Sequence, residues 1–322
     1  MNDLAHYENI FEGIKPWSGR VPAGYLVDFL GTLTDARFHA MYGVDPTRAG
    51  GEILTTRLPT IADGEGWFEA VNWVSTAREA RRSYTMITLG SCYGAQAVGS
   101  YRALQQLNPM PAKLVAVEPE PDNYQWTVSH MRDNGIDPDG QWLLPYAISD
   151  SIEPVYFPAG SPGSGAQNCF STNEPAARKF YVEQLLSRGN INETLQNLIL
   201  HKTTGISKDL VPGYNFKGEI RLISAITLKE VLSPFEFVDY LESDIQQSEI
   251  VVFPPFLNLL RKKVRCIHIG THGLDVHREL YEQFAKSGWT VVFNFEPNAS
   301  FTSQLGSFST NDGVLTVRNP DL

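Results

Sequence analysis

The 322-residue chain has few cysteines and lacks long apolar runs, an excess of basic charge and a dinucleotide-type glycine motif. Its three cysteines, Cys92, Cys169 and Cys266, form no C-x-x-C pair, which argues against a disulfide framework or a zinc ribbon and indicates a reducing compartment. No stretch approaches the ~18 apolar residues of a membrane-spanning helix, and no secretion signal is recognisable at the N-terminus. We therefore expect a cytoplasmic protein without a membrane span.

Acidic residues outnumber basic ones. The 36 Asp and Glu against 26 Lys and Arg give a formal net charge of −10. Because a surface of this sign is repelled by phosphate backbones, nucleic acid is not an expected partner. A small-molecule or glycan ligand is expected instead, and a homo-oligomer is possible.

Strand and helix patterns alternate along the chain from residue 83 onward. Amphipathic stretches with helical spacing separate short apolar runs. Strands are predicted at 86–89, 114–117, 237–244, 264–269 and 289–293, and a further strand is predicted to end at 147–150. This alternation predicts an α/β protein with a Rossmann-like, doubly wound, mostly parallel sheet and helices on both faces. Ligands of such sheets bind beyond the carboxyl ends of the strands.

The chain is predicted to have two parts. Residues 1–82 form an N-terminal extension whose last segment, 69–82, is predicted to be a helix leading into the first strand. Residues 83–322 form the main domain. Within it, a Pro, Gly and Ser-rich loop at 158–165 and two helices between 173 and 201 predict an insertion at about 158–219, which is either a lid and substrate wall or a neutral insertion.

A glycine turn follows the first predicted strand. Gly90 and Gly94 flank Ser91, and the next strand ends in a carboxylate, Glu118. Glycine allows a tight turn under a ligand because no Cβ intrudes, and a carboxylate at the end of the second strand can accept hydrogen bonds from ribose hydroxyls. The G-x-x-x-G spacing, with Cys92 in third place, lacks the glycine that a pyrophosphate requires. The turn therefore favours a phosphate-free nucleoside such as S-adenosyl-L-methionine over NAD, with a purely structural turn as the alternative.

Three segments in order carry more specific motifs. They are Val-Glu-Pro-Glu-Pro-Asp-Asn-Tyr at 117–124, Tyr-Ala-Ile-Ser-Asp at 146–150, and Val-Asp-Tyr-Leu-Glu-Ser-Asp-Ile-Gln-Gln-Ser-Glu at 238–249. This set resembles the FkbM-type methyltransferases, a class I S-adenosylmethionine-dependent family that mostly O-methylates hydroxyls of sugars, polysaccharides and polyketide-type small molecules. The expected cofactor-binding residues are Thr88, Gly90, Ser91, Gly94, Glu118, Pro119, Ala147 and Ile148.

The chain departs from the family pattern at four positions. Thr88 stands where the family usually has an acidic residue that meets the amino group of the cofactor. Gln246 and Gln247 replace the expected Glu and Gly, and Gly270 replaces a frequent Glu. A specialised subgroup or a catalytically weakened copy that serves as a binding or scaffold protein would show such changes. A nucleotide-sugar oxidoreductase is a third, disfavoured alternative.

Transfer of a methyl group to a hydroxyl is helped by a general base or by a metal that lowers the pKa of the hydroxyl. Asp244, at the carboxyl end of a strand, and His272, after the next strand, are the candidate catalytic residues. With Glu249 they also form a candidate Mg²⁺ or Mn²⁺ site. The alternatives are that Asp244 caps the following helix or binds the amino group of the cofactor, that His272 is an ordinary loop residue, and that Glu249 stabilises a helix N-terminus.

Several other residues have competing interpretations. His268 is predicted to be a buried core histidine, and His277 is predicted to be exposed on a helix. Trp67, Phe68 and Trp73 either line an acceptor pocket or belong to the core, which is the more common place for such a cluster.

Overall fold

The computed structural model describes residues 4–159, 171, 174–175 and 219–322. Seven strands form the central sheet. In chain order they are β1 (Tyr84–Leu89), β2 (Ala112–Val117), β3 (Trp142–Leu144), β4 (Val238–Ser243), β5 (Val264–Thr271), β6 (Thr290–Phe295) and β7 (Gly313–Arg318). The helices are α1 (Glu65–Glu79), α2 (Ala95–Leu107), α3 (Pro121–Asp133), α4 (Leu228–Leu232), α5 (Glu249–Val252), α6 (Leu257–Lys263) and α7 (Leu274–Lys286).

The strands lie in the order β3-β2-β1-β4-β5-β7-β6. All neighbours from β3 to β5 pair in parallel, and only β7 runs antiparallel to β5 and β6. The chain winds outward from β1 in one direction and from β4 in the other, so the strand order reverses between these two strands. In doubly wound sheets this reversal opens a crevice at the carboxyl ends of the strands, where ligands bind.

Two apolar cores cover the two faces of the sheet. Consecutive strand residues point to opposite faces, so Met86 packs with helices α1 and α2, whereas Ile87 packs with α4 to α7. The N-terminal residues join the first core, in which Leu4 and Phe11 pack with α1. This arrangement confirms the predicted Rossmann-like, doubly wound, mostly parallel α/β fold with helices on both faces.

Two predicted element boundaries were wrong. The helix before β1 begins four residues earlier than predicted, at Glu65, and ends at Glu79. The third strand of the sheet ends at Leu144, because Pro145 has no N–H to continue the ladder. Ala147–Ser149 instead pairs in parallel with Ala225–Thr227, outside the central sheet.

In the described part of the chain, four further antiparallel pairs lie outside the central sheet. They join Ser18–Arg20 with Ile53–Thr55, Tyr25–Val27 with Leu33–Asp35, Val155–Ala159 with Glu219–Ile223, and Ala299–Ser303 with Gly306–Thr310. The last pair is called the 299–310 hairpin below. The predicted loop beyond 159 and both helices predicted between 173 and 201 fall outside the described residues, apart from positions 171 and 174–175. No helix in the described part of the chain is long and apolar enough to cross a membrane.

Candidate functional site

Two loops meet at the carboxyl ends of β1 and β4, where the strand order reverses. Gly90 has φ +75°, and a Cβ placed there would lie 2.0 Å from the backbone oxygen of Asp244. Gly94 has φ +82° and closely approaches Thr127. The space that a side chain at position 90 would need is therefore occupied by the loop after β4. Glycine is required here for the close approach of the two backbones as well as for the turn.

Glu118 connects the glycine turn to the end of β2. Its Oε2 accepts the backbone N–H of Cys92 at 2.7 Å, and its Oε1 accepts the N–H of Glu120 at 2.9 Å. The residue is only 3% exposed, and burial raises the pKa of Glu118 to about 8 against the opposing effect of these two hydrogen bonds. A carboxylate has about four acceptor positions, so the group can accept a further donor beside these two backbone amides.

Thr88 has an acidic partner on the adjacent strand. Its hydroxyl donates to Oε2 of Glu242 at 2.5 Å, and the two residues are directly paired in the β1–β4 register. Burial raises the pKa of Glu242 well above its ordinary value, despite this hydrogen bond. The carboxylate that the sequence lacks at Thr88 is thus present beside it, one strand away.

Two more carboxyl groups face the same crevice. Burial, reinforced by Asp244, raises the pKa of Glu69 on α1 to about 8. Burial also raises the pKa of Asp244, although 49% of its side chain is reached by solvent. We call Glu69, Glu242 and Asp244 the crevice acids. A cationic ligand at this position would be favoured, because it would stabilise the ionised forms of these acids against burial and their mutual repulsion.

His272 lies between carboxyl groups on both edges of its ring. Nδ1 is 2.9 Å from Oε1 of the fully buried Glu249, and Nε2 is 3.3 Å from Oδ1 of Asp244 and 3.5 Å from Oδ1 of Asp312. Burial lowers the pKa of His272, but these three carboxyl groups outweigh burial and hold it well above its ordinary value. Glu249 fixes the ring through Nδ1 and leaves Nε2 toward the crevice, as an orienting carboxylate does for a catalytic histidine.

Gln246 joins the two candidate catalytic residues. Its amide nitrogen donates to Oδ1 of Asp244 at 2.8 Å and lies 2.7 Å from Nε2 of His272. The structure therefore brings Asp244 and His272 together, as the sequence predicts. Asp244 does not cap the next helix, because α5 begins at Glu249 and Ser248 precedes it.

The predicted metal set of Asp244, Glu249 and His272 is not supported. Asp244 and Glu249 contact different ring nitrogens, so their oxygens cannot converge on one cation together with a single nitrogen. Among the described residues, no group of three His, Cys, Asp or Glu side chains is arranged to hold a metal ion. The carboxyl groups of Asp244 and Glu249 instead contact His272 directly, one at each ring nitrogen.

Both loops at the crevice contain strained backbone. Five described non-glycine residues have positive φ, and three of them, Cys92 (52°), Gln246 (51°) and Gln247 (72°), lie in these two loops. Such conformations concentrate at ligand-binding sites because the surrounding structure holds them. Gln247 stands where the family motif has glycine, so the left-handed backbone is kept although the residue type differs.

The remaining predicted cofactor residues lie around the turn or on the adjacent ribbon. Ser91 is buried, with its hydroxyl 3.2 Å from that of Thr127, and Pro119 follows Glu118 directly. Ala147 and Ile148 are buried in the short strand beside Ala225–Thr227. Their contact with a cofactor stays a prediction.

The other interpreted residues are core residues. Trp67, Phe68 and Trp73 are buried beneath the N-terminal segment, as the core interpretation predicts. His268 is buried and bonds the hydroxyl of Thr316, as predicted. The prediction of an exposed His277 was wrong: it is 1% exposed.

The buried position of His277 follows from its contacts, since its two nitrogens contact Thr271 and Asn294 across the sheet edge.

Sequence reasoning also missed Glu69, Glu242 and Asp312 at the crevice. Only Glu242 left a signal, since it is one of two acids, with Asp239, inside the buried strand β4.

Neither a protein-family model nor a curated protein matches the chain. Solved structures that resemble it include an O-methyltransferase from Bacillus cereus in complex with S-adenosylhomocysteine, at 10% identity and a TM-score of 0.39, covering 88% of this chain and 91% of that chain. Another is a precorrin-6Y C5,15-methyltransferase from Geobacter metallireducens, at 9% identity and 0.36, covering 78% and 86%. A third is methyltransferase FkbM from Methylobacillus flagellatus, at 8% identity and 0.39, covering 78% and 53%. Similarity at this level assigns no activity, and membership of the FkbM family stays a hypothesis.

Proposed function

We propose that the protein is an S-adenosylmethionine-dependent methyltransferase that methylates a hydroxyl of a sugar, polysaccharide or polyketide-type small molecule. The position of Glu118 carries the proposal. Its carboxyl group follows β2 and binds the backbone of the glycine turn after β1, which borders the strand-order reversal and offers no pyrophosphate cradle; a carboxylate so placed can also accept hydrogen bonds from ribose hydroxyls.

The residues around the crevice fit a cationic nucleoside. Glu118 would hold the ribose, and the turn from Gly90 to Gly94 would pass beneath it. The crevice acids Glu69, Glu242 and Asp244 complement the positive sulfonium and ammonium groups, because a nearby cation stabilises ionised carboxylates. When bound, the cofactor supplies an activated methyl group on sulfur.

The chain itself supplies acceptor positioning and a base. An acceptor hydroxyl that takes the place of the Gln246 amide reaches Nε2 of His272, where the neutral ring accepts its proton. Glu249 holds the ring through Nδ1, and Asp244 stabilises the imidazolium that forms. Because the high pKa keeps the resting ring protonated, this proton transfer becomes efficient only toward alkaline pH.

Calorimetric titration tests the cofactor assignment. Purified protein is titrated separately with S-adenosylhomocysteine and with NAD, using Glu118→Ala, Glu118→Gln and the exposed-site control Glu153→Ala. We expect saturable binding of S-adenosylhomocysteine, at least ~10-fold weaker binding in both Glu118 variants, and no change in the control. Absence of S-adenosylhomocysteine binding to the folded wild-type protein would reject the proposal.

The alternative functions give different results in the same experiment. Binding of NAD with no binding of S-adenosylhomocysteine would favour the oxidoreductase. Binding of S-adenosylhomocysteine without methyl transfer to any sugar or polyketide acceptor would favour the scaffold. The differences from the family motif at Thr88, Gln246 and Gln247 would then be the changes that accompany the loss of catalytic activity.

A further inference from the structure

A groove of 650 Å³ opens beside the crevice, between the start of α1 and the 299–310 hairpin. One wall is formed by 62–66, and the other by the outer face of the hairpin. Gly64 makes the close approach of the walls possible, since it has φ +59° and a Cβ there would lie 2.6 Å from the Ser309 carbonyl oxygen. Gly66 faces open space, with no atom within 4 Å of its Cβ position.

Glu65, Asn311 and Asp312 connect the groove to the candidate base His272. Glu65, in its lining, accepts the backbone N–H groups of Asn311 and Asp312 at 2.5 and 3.0 Å. Asp312 in turn lies 3.5 Å from Nε2 of His272. Asn311, which lines the groove, is thus the chain neighbour of a residue that contacts the group we assign to proton transfer.

The groove wall presents paired hydroxyls. Ser300 bonds Ser309 at 2.9 Å, and Thr302 bonds Ser307 at 3.1 Å, all on the exposed face of the hairpin. Each pair uses one of its two hydroxyl protons internally, so it keeps one donor and several acceptor positions for a ligand. These two hydroxyl pairs, each a rung of the hairpin, lie on the same face about 7 Å apart. An extended polyhydroxylated molecule can contact both pairs at once, whereas a single small group contacts one.

The charged groups of the groove are already occupied. Asp63 pairs with Arg57, and Glu65 is engaged by two backbone amides. No Lys or Arg is among the residues that line the groove. An anionic ligand would thus meet carboxylates but no lining Lys or Arg to pair with, whereas a neutral polyol would meet hydroxyl groups that can still form hydrogen bonds.

We infer that this groove binds a neutral, polyhydroxylated acceptor, the end of a carbohydrate chain, and directs one of its hydroxyls toward His272. This inference rests on the proposed function for the reaction, but the binding itself does not require the cofactor. It selects carbohydrate over apolar polyketide acceptors.

Gly66 allows a sharp test, because a Cβ at this exposed helical position meets no atom within 4 Å and a larger side chain there is expected to occupy the groove that Gly66 lines. Saturation-transfer NMR with maltotriose, cellobiose, glucosamine and glucose 6-phosphate measures binding to wild type, Gly66→Phe and Gly66→Ala. The double variant Thr302→Val/Ser307→Ala removes one hydroxyl rung and leaves the core untouched. Thermal unfolding checks that each variant is folded, and titration with S-adenosylhomocysteine reports the cofactor site.

We expect at least one neutral saccharide to bind and glucose 6-phosphate not to bind. Gly66→Phe and the double variant should weaken saccharide binding at least ~10-fold and leave the S-adenosylhomocysteine affinity within about 2-fold, while Gly66→Ala retains binding. The inference is overturned if no neutral saccharide binds, or if both variants bind saccharide like wild type. If the wild-type protein does not bind S-adenosylhomocysteine but binds saccharide in a Gly66-dependent way, the proposed function is rejected and the saccharide-binding groove is still supported.

Discussion

Single residues at the crevice are tuned by their neighbours. Asp244 and His272 are separate motif positions in the sequence, but in the structure Gln246 bonds one and lies within hydrogen-bonding distance of the other. Glu249, which the sequence places at a helix start, is fully buried and fixes the ring of His272. A carboxylate in that position orients the histidine and raises its pKa, so its role is open to measurement through the pH dependence of the reaction.

Glu249→Gln should shift the pH–rate profile. In wild type, we expect kcat to rise with pH through a pKa well above 6.5, because only the neutral His272 accepts a proton. Loss of the Glu249 carboxyl group, which contacts Nδ1, should lower this pKa and lower the maximal kcat. Steady-state rates from pH 6 to 10 measure both effects.

Two variants provide the controls for that profile. Asp312→Asn should shift it less, since the Asp312 side chain is 44% exposed and its charge is screened by solvent. His272→Ala should lower kcat by about 10²-fold or more, with unchanged S-adenosylhomocysteine affinity. An unaltered profile in Glu249→Gln would contradict its positioning role.

The strained backbone at Gln247 gives a second prediction for a single residue. Gln247→Gly should raise the free energy of unfolding by about 0.5 kcal/mol, as relief of about 1–2 kcal/mol of left-handed strain exceeds the added entropy of the unfolded chain. The side chain is exposed, so little packing is lost. Denaturant unfolding measures the change. Gln247→Ala keeps the strain and should give no gain; equal gains in both variants would locate the effect elsewhere.

At the scale of elements, the site depends on how β1 and β4 are joined. The N–H of Asp244 donates to the carbonyl of Leu89, and the N–H of Gly90 donates to that of Val117. The turn after β1 is thereby tied to the ends of both neighbouring strands. Its conformation is fixed by the sheet and not only by its own glycines.

Gly90→Ala should therefore destabilise the protein strongly. The added methyl would lie 2.0 Å from the Asp244 carbonyl oxygen, so the two strand ends must separate, at a cost of about 3 kcal/mol or more. Gly135→Ala is the matched control, because it has nearly the same φ, +73°, but no atom within 4 Å. It should cost only about 1 kcal/mol. Equal losses in denaturant unfolding would mean that φ alone governs Gly90.

At the scale of the whole molecule, several acids around the crevice have a raised pKa. Glu69 and Glu118 each have a pKa raised to about 8, from 4.5. An acid with a raised pKa in the fold binds more protons folded than unfolded, so its contribution to stability is lost as the pH rises from 4.5 to 8. His272, with a raised pKa, acts in the same direction above pH 6.5.

The unliganded protein should consequently lose stability between pH 6.5 and 8.5. Below pH 6.5, His130 and His268, whose pKa burial lowers to about 4, oppose the acids, because the unfolded histidines bind protons that the folded ones do not. Scanning calorimetry should show Tm falling from pH 6.5 to 8.5, with a smaller fall in Glu118→Gln. A constant or rising Tm over this range would show that these acids are ionised in the fold.

Much of the architecture was predictable because hydrophobic periodicity is a local property. The alternation of strands and helices, the glycine turn and the carboxylate of Glu118 at the end of β2 follow from residues near one another in the chain. The strand end before Pro145 was missed although proline is a local signal, whereas the burial of His277 was missed because it depends on which strand lies alongside.

The sequence by itself determined the doubly wound α/β fold and the place of the candidate site at the carboxyl ends of its strands. Only the tertiary structure decided that Glu242 stands beside Thr88, that Glu249 and Asp244 contact opposite edges of His272, and that Asp312 lies between this histidine and the groove beside the 299–310 hairpin. The reason is physical. Periodicity and turn residues act over a few positions, whereas hydrogen bonds and charge interactions in the crevice join groups from strands and loops that are distant in the chain.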